Sequence, residues 1–467
     1  MASNLIYKVD SKPSFSKLIP FAFQQLLAIM AATIAVPMII GNGMSTSAAL
    51  FGAGIGTIIY LLFTKFKSPV FLGSSFAFLG SMGAAFGGAA SISIGYLGLI
   101  IGAVFAGLVY VVIAIIVKFV GADWVKKIMP SVVIGPTVSI IGLSLAGGAI
   151  ADLLGGNGGH GSQTLAAGVM DTKSWMCLIC GLVTLAVTML CSVYGKKMFK
   201  MIPFIIGIFA GYITALIITL IGNANGNEAL MIINFDSFRA LAADGVTIKT
   251  FFSLPDFTFI KAFNGIQSIT PSFIASIAVA YIPVAFVVFA EHIADHKNIS
   301  YIIDTDLLEE PGLHRTLLGD GIGSMAGAFF GGCPNTTYGE SIGCVAISGN
   351  ASVITIFTTA ILALIIAFVS PFIAFLSSIP ACVMGGVCIS LYGFISVSGL
   401  KMLQPVNLNN NRNLFVVSVI LIAGIGGLAI GIPFGDSVIK ITSIACALIL
   451  GILTNVLLSG KKDEDAE

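Results

Sequence analysis

Gly331-Gly332-Cys333-Pro334-Asn335-Thr336-Thr337-Tyr338-Gly339-Glu340 breaks an otherwise apolar stretch with a proline, three glycines and a carboxylate. Proline lacks an N–H and drives the residue before it to extended geometry. Gly, Ser and Thr suit a helix start whose free N–H groups need partners. The segment therefore reads as an extended piece leading into a short helix. A second such segment lies far upstream, Lys67-Ser68-Pro69-Val70-Phe71-Leu72-Gly73-Ser74-Ser75-Phe76. Two half-helices of this kind would aim their N-termini at one central site from opposite sides. Residues 285–296, AFVVFAEHIADH, add Glu291 to an apolar run, as Glu340 is added to the first. An ionised carboxylate at membrane depth costs several kcal/mol, so such groups face a cavity, an ion path or a ligand. That points to a transporter.

The composition fits the same class. Of 467 residues, 57% are hydrophobic and 9% charged, against about 25% charged in a soluble domain, so most of the surface must meet lipid. A soluble enzyme would need charged helix faces that are absent over most of the chain. No pairing of nucleophile and base, and no metal cluster, can be assembled from the sequence, so no enzyme, cofactor or metal is expected. The chain carries eight cysteines in or beside apolar runs; Cys177-x-x-Cys180 has no second ligand pair and reads as small apolar packing.

Breaks between apolar runs place spans near 17–41, 48–64, 69–86, 95–119, 131–150, 174–194, 201–222, 270–294, 314–331, 334–349, 352–376, 380–400, 413–431 and 437–459, fourteen in all. The N-terminal segment and the even-numbered exits that follow are basic: Lys8, Lys12 and Lys17, then Lys65 and Lys67, Lys118, Lys126 and Lys127, and Lys196, Lys197 and Lys200. The alternate exits near 42–48, 83–93 and 152–163 carry almost none. By the positive-inside rule both termini are cytoplasmic. No cleavable signal is expected, because the N-terminal segment is polar and basic and its first apolar run is long. Residues 223–269 read as an external loop, and 460–467 as a solvated cytoplasmic tail.

An internal repeat is visible. Phe51-Gly52-Ala53-Gly54-Ile55-Gly56-Thr57 recurs as Leu318-Gly319-Asp320-Gly321-Ile322-Gly323-Ser324 at equivalent places in two seven-span halves, so the second copy must be inverted in the membrane. The chemistry of the site then follows from its donors and acceptors. Glu291 and Glu340 are acceptors when ionised, half-helix N–H groups are donors, and Phe76 and Tyr338 offer flat faces. A planar ring alternating N–H and C=O fits that set. Uracil and xanthine both present such an edge, whereas a metal ion would want more oxygen ligands.

The strings PNTTYGESIG with GLHR upstream, FLGSSFAF, Gln24-Gln25-Leu26-Leu27-Ala28 leading to Val36-Pro37, and AEHIADH resemble the uracil permease branch of the nucleobase–ascorbate transporter family. The resemblance runs over nearly the whole chain. It implies an all-α polytopic membrane protein of fourteen helices in a seven-plus-seven inverted repeat. It also implies a core domain (14–122 and 270–376) and a gate domain (123–222 and 377–459) separated by the 223–269 loop. The expected activity is proton-coupled uracil import, with xanthine, uric acid or broader nucleobase transport as the alternative and a channel or nucleobase sensor less favoured. The expected partners are the nucleobase, the proton and the bilayer, with no nucleic acid, and the resemblance suggests a homodimer through the gate domain. It also assigns substrate binding to Glu291, Glu340, Phe76, Gly339 and Tyr338. Proton coupling falls to Glu291, Asp295 and His296. Asp295 stands where such permeases usually carry His, with His296 displaced by one, and Gln25 stands where relatives often carry His.

Overall fold

The structure, a computed structural model, describes residues 5–121, 130–156, 159–196, 198–241, 243, 245–434 and 437–460. Lys126, Lys127 and Lys197, the expected 122/123 boundary and the tail beyond Gly460 lie outside those residues. Helices α1 (Phe15–Ile40) and α2 (Thr46–Phe63) lead to strand β1 (Leu72–Ser74), a helical turn at Phe76–Phe78, the short α3 (Leu79–Gly87) and α4 (Ile92–Val120). Then come α5 (Ser131–Ser144), α6 (Ala146–Leu153), α7 (His160–Ala167), α8 (Thr172–Tyr194), the single turn α9 (Met198–Met201) and α10 (Pro203–Asn225). The expected loop holds α11 (Asp236–Leu241), α12 (Ile248–Phe251) and α13 (Thr258–Phe263). Next are α14 (Pro271–Ile303), α15 (Leu313–Gly331), β2 (Asn335–Thr337), α16 (Gly339–Ser348), α17 (Val353–Ile366) and α18 (Ser370–Ser378). The chain closes with α19 (Ala381–Met402), α20 (Asn411–Ile425), the hairpin β3 (Ile430–Phe434) and β4 (Ser437–Ile441), and α21 (Ser443–Leu457).

Eight helical segments among the described residues are long and apolar enough to cross a bilayer alone, with α5 and α6 counted together; α17, α20, α21 and residues 76–87 are shorter apolar helices. Large apolar side chains stay exposed at helical spacing, as at Leu108, Val112 and Ile115 on α4 and Ile213, Ile217 and Leu220 on α10. Such faces are built for lipid. Polar side chains start several helices: Ser45 Oγ accepts from Ala48 N at 3.2 Å, and Thr270 Oγ1 accepts from Phe273 N at 3.2 Å with Pro271 in the first turn.

Three expected spans differ from the structure. The one near 437–459 begins as a strand, because Ser437–Ile441 pairs with Ile430–Phe434 and the helix starts only at Ser443. Val438, Ile439 and Ile441 are β-branched, and Pro433 resists helix. The span near 352–376 is split at Ala367–Val369, where Pro371 opens α18. The span near 131–150 is divided at Leu145. The 223–269 segment is folded back on the helix ends: Phe257 and Phe259 pack on Phe51, Phe329 and Phe330, Ser253 N donates to Phe368 O at 3.0 Å, and Lys261 Nζ donates to Gly43 O at 2.6 Å.

The two broken segments pair with each other. Strands β1 and β2 are antiparallel, with Leu72 opposite Thr337, Gly73 opposite Thr336 and Ser74 opposite Asn335, all buried. Their ends continue the ladder, with Ser75 N donating to Pro334 O at 2.9 Å and Tyr338 N to Phe71 O at 3.2 Å. Beneath them α2 crosses α15 antiparallel on the repeated glycines. A Cβ on Gly52 would lie 2.5 Å from Gly327 O, and one on Gly56 would lie 2.8 Å from Gly323 O and 2.5 Å from Asn335 Nδ2. Asn335 Nδ2 donates to Gly52 O at 3.1 Å, so the crossing also fixes β2.

Replacing Gly56 with Ala is expected to cost roughly 1 to 3 kcal/mol through overpacking against backbone that has no room to move. Gly80→Ala, where an added Cβ meets nothing within 4 Å, serves as the control. Thermal unfolding of the purified variants checks this: a lower midpoint for Gly56→Ala and none for Gly80→Ala is the expected pair.

Candidate functional site

The strand pair delivers two chain segments to one place. Beyond β1 the chain presents Ser75, Phe76 and Ala77, and beyond β2 it presents Tyr338, Gly339 and Glu340. These residues and Glu291 of α14 line a cavity of about 40 Å³, together with Ile141 and Ile395. It adjoins a larger cavity of about 360 Å³, which shares Glu291, Gly339, Glu340 and Ile395 and adds Asp295, Cys344, Phe394 and Lys200. All five residues expected to bind substrate, Phe76, Glu291, Tyr338, Gly339 and Glu340, thus meet around one space.

Each is held for a physical reason. Thr57 Oγ1 donates to Leu72 O at 3.2 Å and accepts from Leu72 N at 2.9 Å, so it clamps β1 from below. Tyr338 Oη donates to Ser74 O at 2.7 Å, and its ring lies where Gly73 would carry a Cβ, so only glycine fits opposite it. Phe76 meets Tyr392 of α19 edge to face at 5.7 Å between centroids. Glu340 sits in the first turn of α16, its carboxyl bonded to its own backbone N–H, where the helix dipole favours an anion. Gln25 Nε2 donates to Ser341 Oγ at 2.6 Å, and Ser341 Oγ also accepts from Phe71 N at 3.0 Å, so α1, β1 and α16 are tied at one point.

Glu291 and Asp295 lie one turn apart on α14 and both line the larger cavity. Thr337 Oγ1 donates to Asp295 Oδ2 at 2.7 Å, which links that carboxyl to β2. His296 is elsewhere. It is fully buried, with Nδ1 2.7 Å from His292 O and Nε2 2.6 Å from Tyr60 Oη, and it does not line either cavity.

Behind the site lies a group that the sequence motifs do not single out. Asp320, inside the second glycine run, is 0% exposed and its Oδ2 lies 2.7 Å from His292 Nδ1. Thr316 Oγ1 lies 2.9 Å from His292 Nε2 and within 3.1 Å of Leu313 O, so both ring nitrogens of His292 have polar partners. A charged residue in a glycine-rich apolar helix is the signal that could have found it. Lys200, on the one-turn α9, is a second residue that only the fold brings to the cavity.

A cavity at the meeting of two broken helices, inside a shell of lipid-facing helices, defines a multi-pass membrane permease. Residues 16–431 match the Permease family known as Xan_ur_permease, and the chain belongs to that family. It is 38% identical over 460 residues to a protein named uracil permease from Bacillus caldolyticus, covering 98% of this chain and 95% of that protein. It is 37% identical to the uracil permease of Bacillus subtilis, covering 96% and 94%. Its fold is similar to the transmembrane domain of a cyanobacterial bicarbonate transporter, BicA, with TM-score 0.58 at 15% identity, covering 96% of this chain and 100% of that one. It is also similar to a murine Solute Carrier 26 family member A9 anion transporter in the inward-facing state, with TM-score 0.64 at 11% identity, covering 96% and 69%.

Removing the Tyr338 hydroxyl with Tyr338→Phe is expected to cost about 0.5 to 1.5 kcal/mol of stability, one net hydrogen bond, while leaving the ring in place. Gly73→Ala displaces the ring itself and is expected to abolish ligand binding. Unfolding midpoints and calorimetric titration with uracil, run on both variants, separate the two effects.

Proposed function

We propose that this permease imports uracil together with a proton by alternating access. The observation that carries the reading is the cavity where Glu291 and Glu340, the start of α16 and the Phe76 ring converge. Backbone N–H groups at the half-helix start donate to the ring carbonyls, and the two carboxyl groups accept from ring N–H groups. The relatives named uracil permease support the substrate. Three carboxyls, Glu291, Asp295 and Glu340, border the larger cavity against a single lysine among its described lining residues. As anions they repel one another, and a proton taken up with the substrate relieves that repulsion.

The packing supports a moving core against a gate. Helices α2, α4, α14 and α15 pack on one another, as do α5, α8, α10, α19 and α20. The core would then be 14–122 with 270–376 and the gate 123–222 with 377–459, each built from both halves of a seven-plus-seven inverted repeat, with dimerisation through the gate. The glutamates ride on the core, whereas Ile141, Phe394 and Ile395 belong to the gate. If lysine-rich exits face the cytoplasm, Lys200 marks the cytoplasmic mouth and the cavity opens inward. Asp295, in the place usually held by His, favours a second reading, a xanthine or broader nucleobase symporter. Counterflow of labelled uracil in proteoliposomes, with xanthine, thymine and hypoxanthine as competitors, tests both: xanthine displacing uracil at equal concentration would favour the second reading, and no counterflow at all would remove the carrier.

Glu291→Gln is expected to abolish uphill accumulation, since the amide keeps the shape and loses the titratable acceptor. Uphill uptake with an unchanged pH dependence would sink the coupling role. Glu340→Gln should weaken binding by roughly 1.5 to 3 kcal/mol, the size of a charge-assisted hydrogen bond, as read by calorimetric titration.

Asp295→Asn removes one of the mutually repelling carboxyls, so the uptake profile between pH 5 and 8 should move toward acid. Asp295→His should retain uptake. Initial rates across that range for wild type and both variants decide the matter, and superimposable profiles would take Asp295 out of the mechanism.

A further inference from the structure

Cys177 and Cys180 sit one turn apart on the buried face of α8, 3% and 0% exposed, and Cys382, 1% exposed, opens α19 against them. The Cys382 side chain interacts with both. Their meeting has a backbone cause. A Cβ on Gly181 would lie 2.6 Å from Cys382 O, and one on Gly386 would run into Gly181 O, so only glycines let α8 and α19 approach this closely.

A histidine, His160, stands at the outer edge of the cluster. Gly155 has φ +119°, and the place its Cβ would take is 3.2 Å from His160 Cδ2 and 3.5 Å from Cys177 Sγ, so both side chains border that glycine. His160 Nε2 lies 3.1 Å from Asp171 Oδ1 and 3.1 Å from Ser174 Oγ. His160 and Asp171 are partly exposed. No set of three metal-ligating side chains is spaced to hold an ion among the described residues, which leaves the chemistry of thiols themselves.

We propose that Cys382 with Cys177 or Cys180 forms a dithiol oxidation site that reacts with a small peroxide and fastens α8 to α19. The Cys177 thiol gives its proton to His160 and the thiolate attacks one peroxide oxygen. The O–O bond breaks, and the departing hydroxide takes a proton to leave as water. The resulting sulfenic acid is attacked by the Cys382 sulfur, the S–O bond breaks and a second water leaves. Two thiols lose two electrons in all, and hydrogen peroxide is reduced to two waters. Cys180, touching the same partner, lets the disulfide exchange along α8. The bond anchors the first turn of the helix whose later turns supply Leu391, Phe394 and Ile395 to the cavity wall.

The full-length protein, purified reduced, is treated with hydrogen peroxide, alkylated and mapped as peptides without reduction. The expected product links the Cys382 peptide to that of Cys177 or Cys180, while Cys333, Cys344, Cys388 and Cys446 remain reduced. The linked protein should unfold at a higher temperature, a shift erased by dithiothreitol and absent in Cys382→Ser. Cys177→Ser and Cys180→Ser should each still link through the remaining partner, and the double variant should not. His160→Gln should slow linkage several-fold and alter its pH dependence. Absence of the linked peptide, or linkage that spreads equally over all cysteines, overturns the site; linkage of His160→Gln at the wild-type rate and pH profile overturns the role of the imidazole.

Discussion

Leu72–Ser74 and Asn335–Thr337 hydrogen-bond to each other inside a shell of helices, and the rest of the molecule is arranged around that pairing. Away from water, each backbone N–H and C=O must find a partner within the protein, so opening one helix is costly. Opening two at the same place is tolerated because each supplies what the other lacks, with Thr57 and the carbonyl of Pro334 completing the set. The pairing also builds the cavity. Two helix starts face one space, and Phe76 and Glu340 arrive at its walls.

The glycine crossing is the price of that arrangement. The strands must lie against α2 and α15 closely enough for Asn335 to reach Gly52 O, which leaves no room for side chains at Gly52, Gly56, Gly323 or Gly327. Lost side-chain contacts there are offset by backbone approach, as in other small-residue helix interfaces in membranes. Tyr338 acts twice within the same logic. Its hydroxyl secures Ser74 and its ring fills the space above Gly73 while lining the cavity, so the cavity wall and the scaffold share one side chain.

Polar groups are sorted into two layers. Glu291, Asp295 and Glu340 border the cavities, where a ligand or proton can reach them. Asp320, His292, His296 and Tyr60 form a sealed layer behind, each bonded within the protein. The sealed layer holds α2, α14 and α15 together; the open layer is left for chemistry. Charge in an apolar helix therefore does not by itself mark a site, since Asp320 and Glu291 share that property and differ in what surrounds them.

Much of this was legible from residue order. Hydropathy and the scarcity of charge made the chain a membrane protein, Pro69 and Pro334 with their following hydroxyl residues marked the two broken helices, and the carboxylates of Glu291 and Glu340 stood out against apolar runs. These are local signals: they depend on a residue and its near neighbours. Residue order did not reveal the hairpin at Ile430–Ile441, where strand and helix propensities are close and pairing decides. Nor did it place His296 behind the site, bring Lys200 to the cavity, or set Cys382 against Cys177 and Cys180. Those relations join side chains far apart in sequence, and they exist only once packing at the glycine crossings and the strand pair has fixed which faces meet.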